Sequence, residues 1–316
     1  MIALVSGAAG FIGSNLTDKL LELGCSVVGV DNLINGNLKN LENASKNQNF
    51  EFKKGDICDS KFLDQISSYN FDIIFHQAAM VSVSRSVENP TITNLNNVDG
   101  TLKLLEFARK NDIDRFVYAS SSSVYGDSPT IPKQISMQTK PISPYGVSKL
   151  AAESYTYAFY RTYGLKTVSL RYFNVYGPRQ AINEYSGVIT IFFDRVVNNK
   201  PPIIFGDGKQ TRDFTYIDDV VQANLLAAEA RSIEGKVFNV GMGKQTSILD
   251  LAHKIIKIAN KDNLIPVFSD PRPGDIRHSL ADISETKKYL NFEPKIDIET
   301  GLQLYYKWFI SKNSDK

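Results

Sequence analysis

Gly7-Ala8-Ala9-Gly10-Phe11-Ile12-Gly13 is the stretch on which the reading of this chain turns. The apolar residues Ile2 to Val5 read as a strand that runs straight into the glycines, and Phe11 to Leu23 carries helical periodicity. A second apolar strand, Val27 to Val30, ends in Asp31. Glycines in such a turn allow a tight reversal and let the backbone approach a pyrophosphate. The helix that follows offers its unpaired N–H groups and positive dipole end to that anion. Asp31, eighteen positions beyond Gly13, is placed to accept hydrogen bonds from both hydroxyls of an adenosine ribose. The same carboxylate repels a 2′-phosphate, so the expected cofactor is NAD rather than NADP. The glycine spacing is Gly-x-x-Gly-x-x-Gly instead of Gly-x-Gly-x-x-Gly.

Outward from this turn, apolar runs recur at 2–6, 26–31, 50–53, 72–76, 114–119 and 166–172, with amphipathic stretches at 11–23, 59–68, 91–111 and 145–163 between them. Alternation of this kind predicts an α/β fold with a doubly wound parallel sheet covered by helices on both faces. Ligands of such sheets lie beyond the carboxyl ends of the strands, which here carry Gly7, Asp31, His76–Ala79, Ser120–Ser123 and Arg171–Asn174. After Gly177-Pro178 the pattern changes. A helix near 188–198, a short strand at 203–205, the turn Gly206-Asp207-Gly208, a helix at 220–230 and a strand at 237–240 lead to helices at 248–259 and 298–310. We expect a nucleotide-binding domain over 1–177, to which 212–243 returns, and a smaller interwoven lobe over 178–316.

Composition narrows the function classes. Of 316 residues, 42% are apolar and 22% charged, and the net charge of +2 is spread along the chain, which gives no case for nucleic acid or a membrane surface. Residue 2 already belongs to the first strand, so no secretory leader is expected. Two cysteines, Cys25 and Cys58, make no disulfide framework, and the three histidines lie far apart, so a reducing cytoplasm and no metal are expected. His76 reads as a strand-end residue, not a ligand.

Ser143-Pro144-Tyr145-Gly146-Val147-Ser148-Lys149 reads as a helix start, with Ser143 as N-cap and Pro144 in the first turn. Tyr145 and Lys149 are four apart and share one helix face. A tyrosine phenol ordinarily titrates near ~10, too high for a base at neutral pH. A nearby ammonium, together with the positive nicotinamide of NAD⁺, favours the phenolate. Upstream, the run Ser120-Ser121-Ser122-Ser123 ends an apolar strand and offers a hydroxyl to the oxygen that gains and loses charge.

Together the glycine turn, Asp31, Ser-Ser-Ser-Ser-Val-Tyr-Gly and Tyr-x-x-x-Lys resemble the extended short-chain dehydrogenases, which carry a Rossmann sheet. Within that group the chain is most similar to the nucleotide-sugar C4-epimerases acting on UDP-glucose and UDP-N-acetylglucosamine, from residue 1 to about 310. The resemblance implies Tyr145 and Lys149 as catalytic residues, with Ser121 as the serine that counts back four from Tyr125. It places Gly7, Gly10, Phe11, Ile12, Gly13, Asp31, Asn32, Asp56, Ile57, Gln77, Ala78, Ala79, Asn97, Lys149 and Tyr172 at the cofactor. For a UDP-sugar it implies Arg212 and Arg272 on the diphosphate, Asn174 beside them, Ile204 and Phe205 bracketing uracil, and Asp275 at the nucleoside ribose. Ser82, Arg85, Ser121, Ser122, Tyr145, Val188 and Ser279 are expected around the rest of the substrate. Serine at 279 leaves room for a 2-N-acetyl group, and Val81-Ser82-Val83-Ser84-Arg85-Ser86 looks like the N-acetylhexosamine branch, so UDP-GlcNAc/UDP-GalNAc is favoured, with UDP-Glc/UDP-Gal beside it. The resemblance further implies a homodimer through 91–111 and 145–163.

Two other readings share the fold. Lyases of the 4,6-dehydratase and UDP-glucuronate decarboxylase types need acidic side chains just after the catalytic hydroxyl, where this chain has Ser122-Ser123. A noncatalytic NAD-binding protein has no use for Tyr145 together with Lys149.

Overall fold

The computed structural model describes residues 1–181, 187–271 and 276–314. The glycine turn sits where the reading places it, between β1 (Ile2–Ser6) and α1 (Phe11–Glu22). Then follow β2 (Ser26–Asp31), β3 (Phe50–Lys54), α2 (Ser60–Gln65), β4 (Ile73–His76) and α3 (Val83–Glu88). Next come α4 (Pro90–Asn94), α5 (Gly100–Lys110), β5 (Arg115–Ser121), α6 (Pro144–Tyr163) and β6 (Lys166–Tyr172). After β7 (Asn174–Tyr176), α7 (Val188–Val197), β8 (Ile203–Phe205), β9 (Thr211–Arg212), β10 (Phe214–Tyr216) and α8 (Ile217–Glu229), strand β11 (Val237–Val240) enters the same sheet. Its order is β11-β6-β5-β4-β1-β2-β3, every pairing parallel. The chain is thus an α/β protein with a doubly wound parallel sheet.

Strand alternation divides the core in two. Ala3, Val5, Phe75 and Val117 pack under Leu16 and Leu20 of α1 and Val220 and Ala227 of α8. Their neighbours Leu4, Ile74, Phe116 and Tyr118 face Leu104 and Leu105 of α5 and Ala152 and Phe159 of α6. Burial on both faces is why these strands read as continuous apolar runs.

The stretch 91–111, expected as one helix, is interrupted. A π-helical turn over Leu95–Asp99 joins α4 to α5 and carries Asn97 inward, where it is buried. Wide turns of this kind insert one extra residue per turn and redirect a side chain. Beyond the sheet, β7 pairs with β10, β8 with β13 (Val267–Ser269) and β9 with β12 (Thr246–Ser247). Helices α9 (Ile248–Ile258), α10 (Ser284–Leu290) and α11 (Ile298–Ser314) complete the described chain.

Candidate active site

A cavity of about 1330 Å³ opens at the carboxyl ends of the strands, where the chain order reverses between β1 and β4. That volume exceeds the ~300–1,000 Å³ of an ordinary single-ligand pocket. Gly7, with φ +73°, brings the end of β1 against β4: a Cβ on it meets the Ala78 nitrogen at 2.7 Å. A Cβ on Gly13 meets the Gly7 carbonyl oxygen at 2.1 Å, so the first turn of α1 can press onto the loop only as glycine. No side chain caps α1, and its first turn holds no acidic residue, which leaves its amides facing the cavity for an anion.

Asp31 ends β2 with its carboxylate buried. Oδ2 accepts from the Ala9 amide at 3.0 Å and Oδ1 from the Leu33 amide at 2.8 Å. Burial raises its pKa, and these two backbone bonds work the other way. Asn32 donates to Asp56 Oδ2 at 3.1 Å, which holds the two strand ends together. Glycine turn, uncapped helix and carboxylate together suit the pyrophosphate and ribose of a dinucleotide.

On the opposite wall, Ser143 caps α6 by accepting from the Gly146 amide at 3.1 Å, and Pro144 opens the helix. Tyr145 and Lys149 lie buried on the face turned to β5. Lys149 Nζ donates to the Ala119 carbonyl at 2.8 Å and stands 5.1 Å from the centroid of the Tyr118 ring. Burial pulls the ammonium down to about 7. It pushes the Tyr145 phenol up, while a hydrogen bond with Ser121 draws it back. The ammonium stands on the same cavity wall as the phenol, held by the Ala119 carbonyl. Within the serine run, Ser121 lines the cavity with Tyr145 and donates to Ser123 Oγ at 3.1 Å, whereas Ser120 donates to Glu153 Oε2 at 2.6 Å.

His76 is buried at the end of β4, paired through Nδ1 with Ser6 Oγ at 2.7 Å and through Nε2 with Thr101 Oγ1 at 2.8 Å. Thr101 spends its proton on the Asn97 carbonyl at 2.6 Å, which assigns the ring proton to Nε2. Burial holds this imidazole at about 3, so it is neutral. Among the described residues no group of His, Cys, Asp or Glu is arranged to hold a metal ion.

Of the residues singled out from sequence, Gly7, Gly10, Phe11, Ile12, Gly13, Asp31, Asn32, Asp56, Ile57, Gln77, Ala78, Ala79 and Tyr172 line the cavity with Ser82, Arg85, Ser121, Tyr145 and Lys149. Asn97 does not. Its Oδ1 accepts from the Met80 amide at 2.7 Å and its Nδ2 donates to the Met80 carbonyl at 3.0 Å and Ser148 Oγ at 2.9 Å, so it braces the wall from behind. Ile204 is a correction too. It is 0% exposed in the core, because neighbours on a strand face opposite sides, so it cannot share a uracil ring with half-buried Phe205. Ser122 lies in the turn after β5 and Val188 opens α7, both off the cavity wall.

Asn174, Phe205, Arg212 and Ser279 also lie off that wall. Three of them share one neighbourhood: the Ser279 amide donates to the Thr211 carbonyl at 3.1 Å beside Arg212, and the Asn174 amide to the Asp213 carbonyl at 3.1 Å. Asp213, buried, gathers these segments by accepting from the amides of Met242, Gly243 and Ala281. Arg85 Nη1 donates to Asn35 Oδ1 at 3.0 Å, on the loop after β2. Arg272 and Asp275 lie outside the described residues. Sequence reading missed Asn224, whose Oδ1 accepts from both Tyr172 and Gln77 at 2.9 and 3.0 Å; an asparagine inside an apolar helix was its only signal.

The pattern of the NAD dependent epimerase/dehydratase family matches residues 3–241. The UDP-glucose 4-epimerase of Mycolicibacterium smegmatis is 39% identical over 314 residues, 99% of this chain and 100% of that protein. The structure of UDP-glucose 4-epimerase from Thermotoga maritima with UDP-glucose superimposes with a TM-score of 0.94 at 40% identity, covering 99% of this chain and 100% of that one. UDP-N-acetylglucosamine 4-epimerase from Methanobrevibacter ruminantium, in complex with UDP-N-acetylmuramic acid, gives 0.92 at 40% identity over 98% of each chain. With a glycine cradle and a buried strand-end carboxylate that suit NAD, and with similarity along its whole length, this chain is a member of the NAD-dependent epimerase/dehydratase family.

Proposed function

We propose that this protein inverts C4 of a UDP-hexose, with a preference for UDP-GlcNAc/UDP-GalNAc and with UDP-Glc/UDP-Gal as further substrates. The observation that carries the reading is the meeting of Tyr145, Lys149 and Ser121 on the wall of the cavity that also holds the Gly7–Gly13 turn. NAD, when bound, supplies a reversible two-electron acceptor beside the sugar.

The chain's own groups do the rest. Tyr145 as a phenolate takes the proton of the 4-hydroxyl; loss of the C4 hydrogen as hydride to the two-electron acceptor would complete the 4-keto sugar, and Tyr145 returns the proton when the hydride comes back to the opposite face of the turned sugar. Ser121 hydrogen-bonds the same oxygen and shuttles its proton to Tyr145. Lys149 holds the nicotinamide ribose and adds positive charge behind the phenol. Arg212 and Arg272 hold the diphosphate so that the hexose can swivel without leaving, and Asn174, Phe205 and Asp275 contact the nucleoside end. Serine at 279 leaves space for an N-acetyl group.

We further propose the division into a cofactor domain (1–177 with 212–243) and a substrate lobe (178–316). A homodimer through α4, α5 and α6 is supported by Ile92 on α4, Leu95 in the turn that follows it, and Val147 and Tyr155 on α6, all of which stay exposed. No described helix is long and apolar enough to cross a membrane, and Cys25 and Cys58 are unpaired, which suits a cytoplasmic protein.

Purified protein incubated with each UDP-hexose, without added NAD, is expected to give the C4 epimer while the cofactor stays bound. Release of CO₂ from UDP-glucuronate, or a 4-keto-6-deoxy product, overturns the epimerase reading in favour of a lyase.

A further inference from the structure

We infer that Ser120, Glu153 and Arg171 form a buried positioning unit that sets Ser121 and Lys149 in register with Tyr145. The inference rests on the catalytic reading of those three residues given above. Glu153 follows Lys149 by four residues on α6, so its carboxylate points at β5 one turn further along the same helix face. Its Oε2 accepts from Ser120 Oγ at 2.6 Å and from Arg171 Nε at 3.0 Å, and its Oε1 from Arg171 Nη2 at 2.6 Å. Both charged side chains are only 6% exposed.

The position of Ser120 gives this unit its consequence. Its neighbour on one side, Ala119, offers the carbonyl that receives Lys149 Nζ; its neighbour on the other, Ser121, stands on the cavity wall with Tyr145, close enough to draw its phenol down. One carboxylate on α6 therefore grips the middle residue of the three-residue stretch of β5 whose ends touch the two α6 groups. A slip of α6 along β5 would break both contacts together, and Glu153 opposes it through a short, charge-assisted bond of fixed direction. Arg171 comes from β6, stacks 4.8 Å from the Tyr125 ring centroid, and balances the carboxylate so that the pair adds no net charge near the site. Tyr125 in turn donates to Asn239 Oδ1 at 2.6 Å on β11, so the anchor spans three adjacent strands.

Stability alone does not call for this arrangement. Apolar residues of similar volume commonly serve a buried site as well as an ion pair does, but they cannot direct a serine hydroxyl. The other titratable groups facing Lys149 are His76 from β4, Tyr118 from β5 and Tyr145 from α6 itself. None of these three bonds to Ser120, so its substitution perturbs the register without removing a charge.

Ser120→Ala is the test. It should fold with unchanged NAD content and a KM within about twofold of the parent, while kcat falls by about ten- to a hundredfold through misplacement of the reacting groups. The acid limb of the kcat–pH profile should move, and so should the phenolate absorbance titration obtained by subtracting Tyr145→Phe from the parent. Unchanged kcat and pH profile overturn the inference, as does a kcat loss with an unmoved pH profile. The paired change Glu153→Leu with Arg171→Met, which leaves no uncompensated charge, provides a second route to the same comparison and should show the same kcat loss and pH shift. Tyr145→Phe is run beside both: if it keeps parental turnover, the catalytic reading itself fails, whereas an inactive Tyr145→Phe with an unaltered Ser120→Ala removes only the positioning role.

Discussion

Lys149 Nζ donates a 2.8 Å hydrogen bond to the carbonyl of Ala119, and this bond ties the helix bearing Tyr145 to β5. An ammonium in that position has left water for a single carbonyl, which is why burial brings it down to about 7. The unfolded chain binds this proton up to its ordinary value near 10.5, whereas the folded chain releases it near 7. Stability from this group is therefore fully present above 10.5 and is lost as pH falls toward 7. The Tm difference between the cofactor-free parent and Lys149→Met should rise with pH across that window; a flat difference would show that the ammonium is better solvated than its surroundings indicate.

Tyr145→Phe keeps the ring that fills the wall and removes the hydroxyl. Turnover should drop by about 10²–10⁴-fold, the range for loss of a general acid–base group, with NAD content and UDP-sugar binding preserved. Stopped kinetics and calorimetric titration separate the two effects.

Gly13→Ala places a methyl 2.1 Å from the Gly7 carbonyl oxygen. Neither backbone can give way without opening the turn, so overpacking should cost about 1–3 kcal/mol and the protein should purify with little NAD. Parental cofactor content in this variant would argue against the glycine turn as the pyrophosphate seat.

His76 tests the interior behind the cofactor wall. Its folded value of about 3 lies below its ordinary 6.5, so its contribution is present above 6.5 and disappears as pH falls toward 3. His76→Gln should flatten the loss of stability between those limits in denaturant titrations, whatever its stability at neutral pH. An unchanged slope would place the acid sensitivity elsewhere.

Ser279→Tyr addresses the sugar. The residue is buried on a segment bonded to Thr211 beside Arg212. A bulky ring there should suppress turnover of the N-acetylated pair while sparing UDP-Glc and UDP-Gal, read as the ratio of kcat/KM values. Equal loss on both would mean that position 279 does not face the 2-substituent.

The parts of this protein that were legible in its sequence are those governed by short spacing. Glycines three apart define the turn, Tyr145 and Lys149 four apart define one helix face, and a run such as Arg115 to Ser121 declares a strand covered on both sides. Local geometry determines these relationships, and they carried the sheet, the cofactor and the placement of Tyr145 with Lys149 on one cavity wall. The tertiary structure alone decided that Ser120 is turned to Glu153, that Asn97 braces Met80 and Ser148 from behind the wall, and that Ile204 is enclosed in the core. Those outcomes depend on partners far apart along the chain, such as Arg171 for Glu153 and Asn224 for Tyr172. Side-chain period tells which face a residue occupies, but only packing tells what that face meets, and in a buried site the hydrogen bonds go to whichever polar group the fold brings within reach.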